Sequence, residues 1–202
     1  MKHYKLLISI AFGLLCCIQL GVIGFQIVTY ERVLKEGEAF YFDVLPFDPY
    51  DPFHGRYVTI RFDWDTLKAP LVGSLEEVAK TGKTYAILEH TKGADRIKEV
   101  TPSKPDKGYF IEVTNVYPES ERAEKPTKKE AKELKMIHFS LPFDRFYMRE
   151  DLAPQAEKLL RFNDEKNTDI QAKIKILNGK GVIEDLIINK QPIAQYLMSQ
   201  QE

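Results

Sequence analysis

Residues 6–28 read LLISIAFGLLCCIQLGVIGFQIV, a run with no charged side chain, in which Gln19 and Gln26 are the most polar members. As an α-helix it rises about 34 Å at 1.5 Å per residue, enough to cross a hydrocarbon core of roughly 30 Å. A charge at its centre would cost about 2.5–3.5 kcal/mol, which makes the complete absence of charge informative. Three fates compete for such a segment. Lys2 and Lys5 supply the basic lead of a secretory signal, but the run exceeds the usual apolar region of about 7–15 residues. Its one tolerable cleavage site is Val22-Ile23-Gly24. A lipoprotein signal wants a small residue before its cysteine, whereas Leu15 and Cys16 precede Cys16 and Cys17. Retention as an uncleaved signal anchor fits best. It makes residues 1–30 a short tip plus a transmembrane helix, and residues 31–202 a separate soluble domain.

The flanks bear on orientation. Lys2, Lys5 and the α-amine precede the span, while Arg32 and Lys35 follow it closely, so the positive-inside bias is small. A very short N-terminal tail before a long domain favours the N-terminus inside. The domain is therefore expected on the periplasmic or extracellular side of a single-pass membrane protein.

Beyond the span the composition excludes more than it assigns. The formal net charge is −1, so no overall basicity points to nucleic acid. Both cysteines lie inside the apolar run, which leaves the soluble part without a disulfide or a cysteine-bearing metal site.

Period-2 alternation then dominates. Ala39 to Leu45 alternates around Phe40, Phe42 and Val44. After a proline-rich turn from Pro46 to Gly55, Arg56 to Phe62 places Val58, Ile60 and Phe62 on one face and Tyr57, Thr59 and Arg61 on the other. Lys83 to Glu89, Tyr109 to Val116, Met136 to Phe139 and Arg145 to Met148 read as further strands. Ser74 and Glu77 form a capping box for a short helix over Leu75 to Lys80. Asp151 is placed to cap a second helix, Leu152 to Phe162, whose Leu152, Ala156, Leu159 and Leu160 share a face. Glu119 to Lys135 mixes charges of both signs and reads as exposed loop or short helix. The clearest hairpin is the last: Asp169 to Leu177, a turn at Asn178-Gly179-Lys180-Gly181, and Val182 to Ile188. Strands outnumber helices and do not alternate with them. The expectation is a mainly β (β-rich α+β) soluble domain with short helices, preceded by one N-terminal transmembrane helix.

Asp48-Pro49 lies seven residues before Gly55, and Gly55, Tyr57, Ile60 and Phe62 follow at fixed spacing. This pattern resembles the signature of the GDYXXLXY family of membrane-anchored proteins, with Ile60 and Phe62 as conservative replacements and Arg56 where the name-giving Asp would stand. Arg145-Phe146-Tyr147-Met148-Arg149-Glu150 and the terminal hairpin with Leu186-Ile187-Ile188-Asn189 resemble the family too. The resemblance implies an anchor, no established activity, and a multi-spanning membrane protein as partner, since members often occur beside such proteins. No carboxylate role is carried over at Arg56.

The candidate binding positions are Asp48, Pro49, His54, Gly55, Arg56, Tyr57, Tyr147 and Glu150. His54 between Asp48 and Asp51 prompts a metal reading, but one His without a second nitrogen at fixed spacing falls short of a zinc site, and turn-shaping hydrogen bonds account for the aspartates. Tyr57, Tyr147 and Glu150 are candidates for a ligand surface, against the commoner role of strand aromatics as core or cross-strand pairs. Arg56, Arg61, Arg145 and Arg149 are weighed as an anion site and read as solvated strand faces. His90 and His138 have no acidic partner at useful spacing and receive no role. A single span followed by a β-domain also resembles signal peptidases, but the first serine after the span is Ser74, downstream of the glycine motif. No catalytic residue, metal site or cofactor is assigned. The expectation is a non-enzymatic interaction or scaffold domain docking on a membrane or envelope partner. The alternative is an envelope hydrolase or small-ligand-binding domain built on Asp48, His54 and Tyr57.

Overall fold

The computed structural model describes residues 2–45, 57–119, 136–162 and 169–200. The apolar run forms helix α1, Lys2–Glu36, and the stretch Tyr4–Glu36 is long and apolar enough to cross a membrane. Its large apolar side chains from Leu6 to Val28 stand exposed, as a lipid-facing helix requires. The helix does not stop at the end of that run. Its last two turns pack on the domain, where Val33 is buried. Gly37 ends it, donating its N–H to the Val33 carbonyl at 2.9 Å. A Cβ on Gly37 would lie 2.4 Å from the Val33 carbonyl oxygen and 3.1 Å from the Ile176 nitrogen, so only glycine lets helix and strand approach this closely.

Directly beyond Gly37 the aromatic alternation forms β1, Glu38–Leu45, an inner strand of a five-stranded sheet. Its partner β10, Ile170–Leu177, pairs antiparallel from Glu38↔Ile176 to Asp43↔Gln171, and β11, Lys180–Ile188, pairs with β10. The edges are β12, Gln191–Pro192, beside β11, and β3, Arg61–Phe62, beside β1. The β10–β11 turn is tighter than its sequence suggests. Asn178 and Gly179 both have positive φ, 51° and 85°, while Lys180 and Gly181 already belong to the strand. Two left-handed residues make the turn whose twist matches a hairpin, and Asn-Gly is the pair that adopts it with least strain.

The second sheet runs β4-β8-β7-β5-β6: Lys68–Pro70, Met136–Ser140, Tyr109–Pro118, Thr84–Glu89 and Arg96–Thr101. It curls far enough for its two edges to meet, because Leu71, just past β4, bridges to Val100 of β6 and Val72 N–H donates to the Val100 carbonyl at 2.8 Å. The sheets pack face to face. Phe40, Phe42, Ile174, Leu186 and Ile188 on one side and Ile111, Ile137 and Phe139 on the other are almost fully buried, and their alternation with outward polar residues is what sorts these strands into a core face and a solvent face. Helix α2, Leu75–Thr81, carries the expected capping box between Ser74 and Glu77. Helices α3, Ala153–Phe162, and α4, Ile193–Ser199, touch one another. Leu152 and Ala156 are buried and Leu159 is partly so. The β-rich fold class stands.

One expected strand divides. Arg56 to Phe62 is β2, Tyr57–Thr59, then β3, because the two halves find different partners: β2 pairs with β9, Arg145–Tyr147, and β3 with β1. Ile60 bridges them and donates its N–H to the Asp144 carbonyl at 2.8 Å. The expected loop over Glu119 to Lys135 lies, after Glu119, outside the described residues.

On β11, burial raises the Asp185 carboxyl pKa from its ordinary value of 3.8, opposed by the Leu186 N–H and by Lys173. A raised carboxyl pKa favours the protonated folded state. Stability from this group is therefore present at low pH and lost as pH rises from the unfolded value through the folded one. Asp185→Asn is accordingly expected to melt higher than the wild type at pH 7, with the gap closing below about pH 4. Paired thermal melts at the two pH values check this, and a gap that persists at low pH would contradict it.

Candidate functional site

The β2–β9 ribbon gathers the described candidates. Its register places Tyr57 opposite Tyr147, Val58 opposite Phe146 and Thr59 opposite Arg145. Since successive side chains alternate, Val58 and Phe146 enter the core and the other pairs face outward. The Tyr57 and Tyr147 rings lie 5.8 Å apart, tilted by 55°, within the range of favourable cross-strand aromatic contact. The Arg145 guanidinium covers the Tyr57 ring at 4.8 Å. Its pKa is raised, first by a side-chain hydrogen bond with Tyr147 and then by Tyr57, so Arg145 stays cationic. Tyr147 is nonetheless 69% exposed. Glu150, also exposed, follows in the turn that leads to α3.

Beside this ridge lies an open groove of about 560 Å³. Ile60, Phe62, Leu67, Leu141 and Phe143 form its apolar lining, with Arg61, Asn115, Ser140 and Asp144 as polar members. It exists because β7 bulges at Asn115, whose φ is +51°, before pairing with β8 resumes at Tyr117. The Asn115 side chain amide donates to the Ser140 hydroxyl at 3.4 Å. Sequence reasoning found neither groove nor bulge; an isolated asparagine within a strand was the one local signal.

Asp48, Pro49, His54, Gly55 and Arg56 lie outside the described residues, so the loop part of the expected site carries no geometry here. Among the described residues no group of three or more His, Cys, Asp or Glu side chains is placed to hold a metal ion. Of the arginines weighed as an anion site, Arg56 lies outside the described residues, and Arg145 and Arg149 have separate engagements. Arg145 lies on Tyr57, and Arg149 donates to both Asp151 oxygens, at 3.1 and 2.7 Å. That bond is the main reason the Asp151 pKa falls below its usual value.

The reading of the histidines needs correction. His90 Nδ1 lies 3.1 Å from Asp95 Oδ1 and Nε2 lies 3.6 Å from Glu38, with the ring stacked on Phe40 at 4.3 Å. The turn from β5 to β6 brings position 95 back beside 90, which linear spacing conceals. Asp95 also accepts from the Tyr41 and Thr91 N–H groups, at 2.8 and 3.1 Å, and its own N–H donates to the Tyr41 carbonyl at 2.7 Å. It therefore clasps β1 to the second sheet. His138 is buried beneath Trp64, ring centroids 4.1 Å apart, with Glu119 4.0 Å from its Nε2. Both acidic partners act within the fold's own scaffold.

Fold and site together define a β-rich domain borne on one helix long enough to span a membrane, with an aromatic–arginine ridge on its surface. A family model, GDYXXLXY protein, matches residues 19–186, and the chain belongs to that family. Comparisons with curated proteins and with solved structures gave no match.

Proposed function

We propose that this is a single-pass, membrane-anchored protein whose domain lies outside the cytoplasm and docks, without catalysis of its own, on a multi-spanning membrane partner. The exposed Tyr147, paired with Tyr57 and flanked by Arg145, carries the reading. Tyr and Arg are the residues over-represented at interface hot spots, and a ridge fixed by strand pairing loses little side-chain entropy on docking. The ridge stands away from the anchor. β1 runs from Glu38 outward, and β3, which continues β2, pairs with its far end at Val44 and Leu45. Seven residue steps at about 3.4 Å put roughly 24 Å between the anchor's end and that site.

A second reading draws on the groove. Its volume suits a small ligand, and apolar lining with a few polar members is the usual composition of such sites. Its enzymatic form, a hydrolase using Asp48, His54 and Tyr57, needs residues outside the described ones.

The test uses the full chain in its native membranes. A photo-crosslinker at position 147 is expected to capture a membrane protein, and Tyr57→Ala with Tyr147→Ala is expected to weaken co-purification at least tenfold, about 1.4 kcal/mol or more. Undiminished co-purification with the double variant would remove the ridge as the contact.

A further inference from the structure

The end of the domain nearest α1 carries a second surface. The hairpin turn reaches back to the helix, where the Lys180 ammonium lies over the Tyr30 ring, 5.9 Å from its centre. Tyr30 is two residues past Val28, the last residue of the uncharged run, hence about 3 Å further along the axis. The polar layer on each side of a bilayer is roughly 5–8 Å deep. With α1 across a membrane, the hairpin turn therefore sits at headgroup depth.

Its surroundings match that depth. Gly179 packs on Phe110, over whose ring Lys104 lies at 5.9 Å. Tyr109, 44% exposed, begins β7 against Leu88, and the adjoining turn carries Lys92. Lys92, Lys104, Lys107 and Lys180 are all exposed; the acids at this end are Asp106, Glu38 beside His90, and Glu112, which donates its N–H to the Gly179 carbonyl and faces Lys83 at 3.5 Å. Glu31 and Glu36 are matched by Lys35 and Arg32 along the helix, and Glu89 by Arg96. The junction is also held down: Val33 is buried, and the Lys175 ammonium donates to the Gly37 carbonyl at 3.0 Å.

We infer that this end of the domain docks on anionic lipid headgroups of the leaflet from which α1 emerges, with Lys92, Lys104, Lys107 and Lys180 as its cations and Tyr30 and Tyr109 as its interfacial aromatics. Lysines attract anionic lipid only within about a Debye length, and the buried junction supplies that proximity. Tyrosine favours the same layer because its ring is apolar and its hydroxyl wet. The inference rests on α1 spanning a membrane and is independent of the Tyr57–Tyr147 ridge.

Amide hydrogen exchange of the full chain in lipid nanodiscs tests it. In discs with about a third phosphatidylglycerol, exchange over residues 90–95, 102–109 and 178–181 is expected to slow several-fold relative to phosphatidylcholine discs. About 0.5 M salt, or Lys92, Lys104, Lys107 and Lys180 all changed to Gln, is expected to abolish the difference. Lys180→Gln alone, which leaves the two-residue turn intact, is expected to reduce it. Equal exchange in both lipids, or slowing that survives the four substitutions, overturns the inference. So does slowing seen only in native membranes, which would assign the face to a protein. A failure of α1 to insert shows separately, as a chain that does not co-purify with phosphatidylcholine discs.

Discussion

Phe40→Ala is expected to lower the domain's stability by about 3–5 kcal/mol, the usual cost of emptying a fully buried phenylalanine site. The residue is wholly inaccessible. Its ring meets Phe42 at 6.5 Å, Tyr109 at 5.4 Å and His90 at 4.3 Å, so the void would open where both sheets and the β5–β6 turn converge. Phe42 and Tyr109 sit on paired strands and have little freedom to collapse inward. A domain of this size is stable by only about 5–15 kcal/mol, which makes the loss a large share of the whole. Denaturant titration of the full chain in detergent, followed by Trp64 fluorescence, measures it. A loss under about 1 kcal/mol would mean that the packing around Phe40 is wrong.

Asp95→Ala follows, with an expected loss of about 3 kcal/mol. Asp95 is only 7% exposed and its carboxylate receives two backbone N–H groups and His90. Truncation strands the Tyr41 and Thr91 donors, each at about 1–3 kcal/mol where water cannot replace the acceptor. His90→Ala is expected to cost less, since the ring is partly exposed and the backbone donors keep their acceptor. Exchange at the Tyr41 and Thr91 amides discriminates: both should quicken in Asp95→Ala and stay slow in His90→Ala. Identical exchange in the two variants would defeat the clasp as described.

Residues whose surroundings are local were readable before the fold was known. The apolar run, the Ser74–Glu77 box and the β10–β11 alternation each follow from neighbours a few positions away. β6 was missed because its pairing shifts register: Leu88 faces Ile97 while Ile87 faces Glu99, leaving Ile97 and Val100 three apart and the period-2 signal broken. β4, Lys-Ala-Pro, is too short for any period and is recognisable only by its partner β8. The division of β2 from β3 likewise depends on which distant strand each half meets. In the candidate site, Tyr57 and Tyr147 were named from sequence and meet across two strands. Arg145 was named for a different purpose, and the groove depends on a β7 distortion no pattern announces.

The close approach at Gly37 has a geometric consequence. With Val33 buried and no slack before β1, α1 acts as a stiff axle whose rotation the domain must follow. The compass bearing of the Tyr57–Tyr147 ridge is then set by helical phase inside the bilayer. One residue added within the span turns the domain by about 100° and lifts it about 1.5 Å. Seven residues return it to within about 20° of its first bearing, about 10 Å higher. A partner that grips both the span and the ridge would sense such insertions periodically, by angle more than by length.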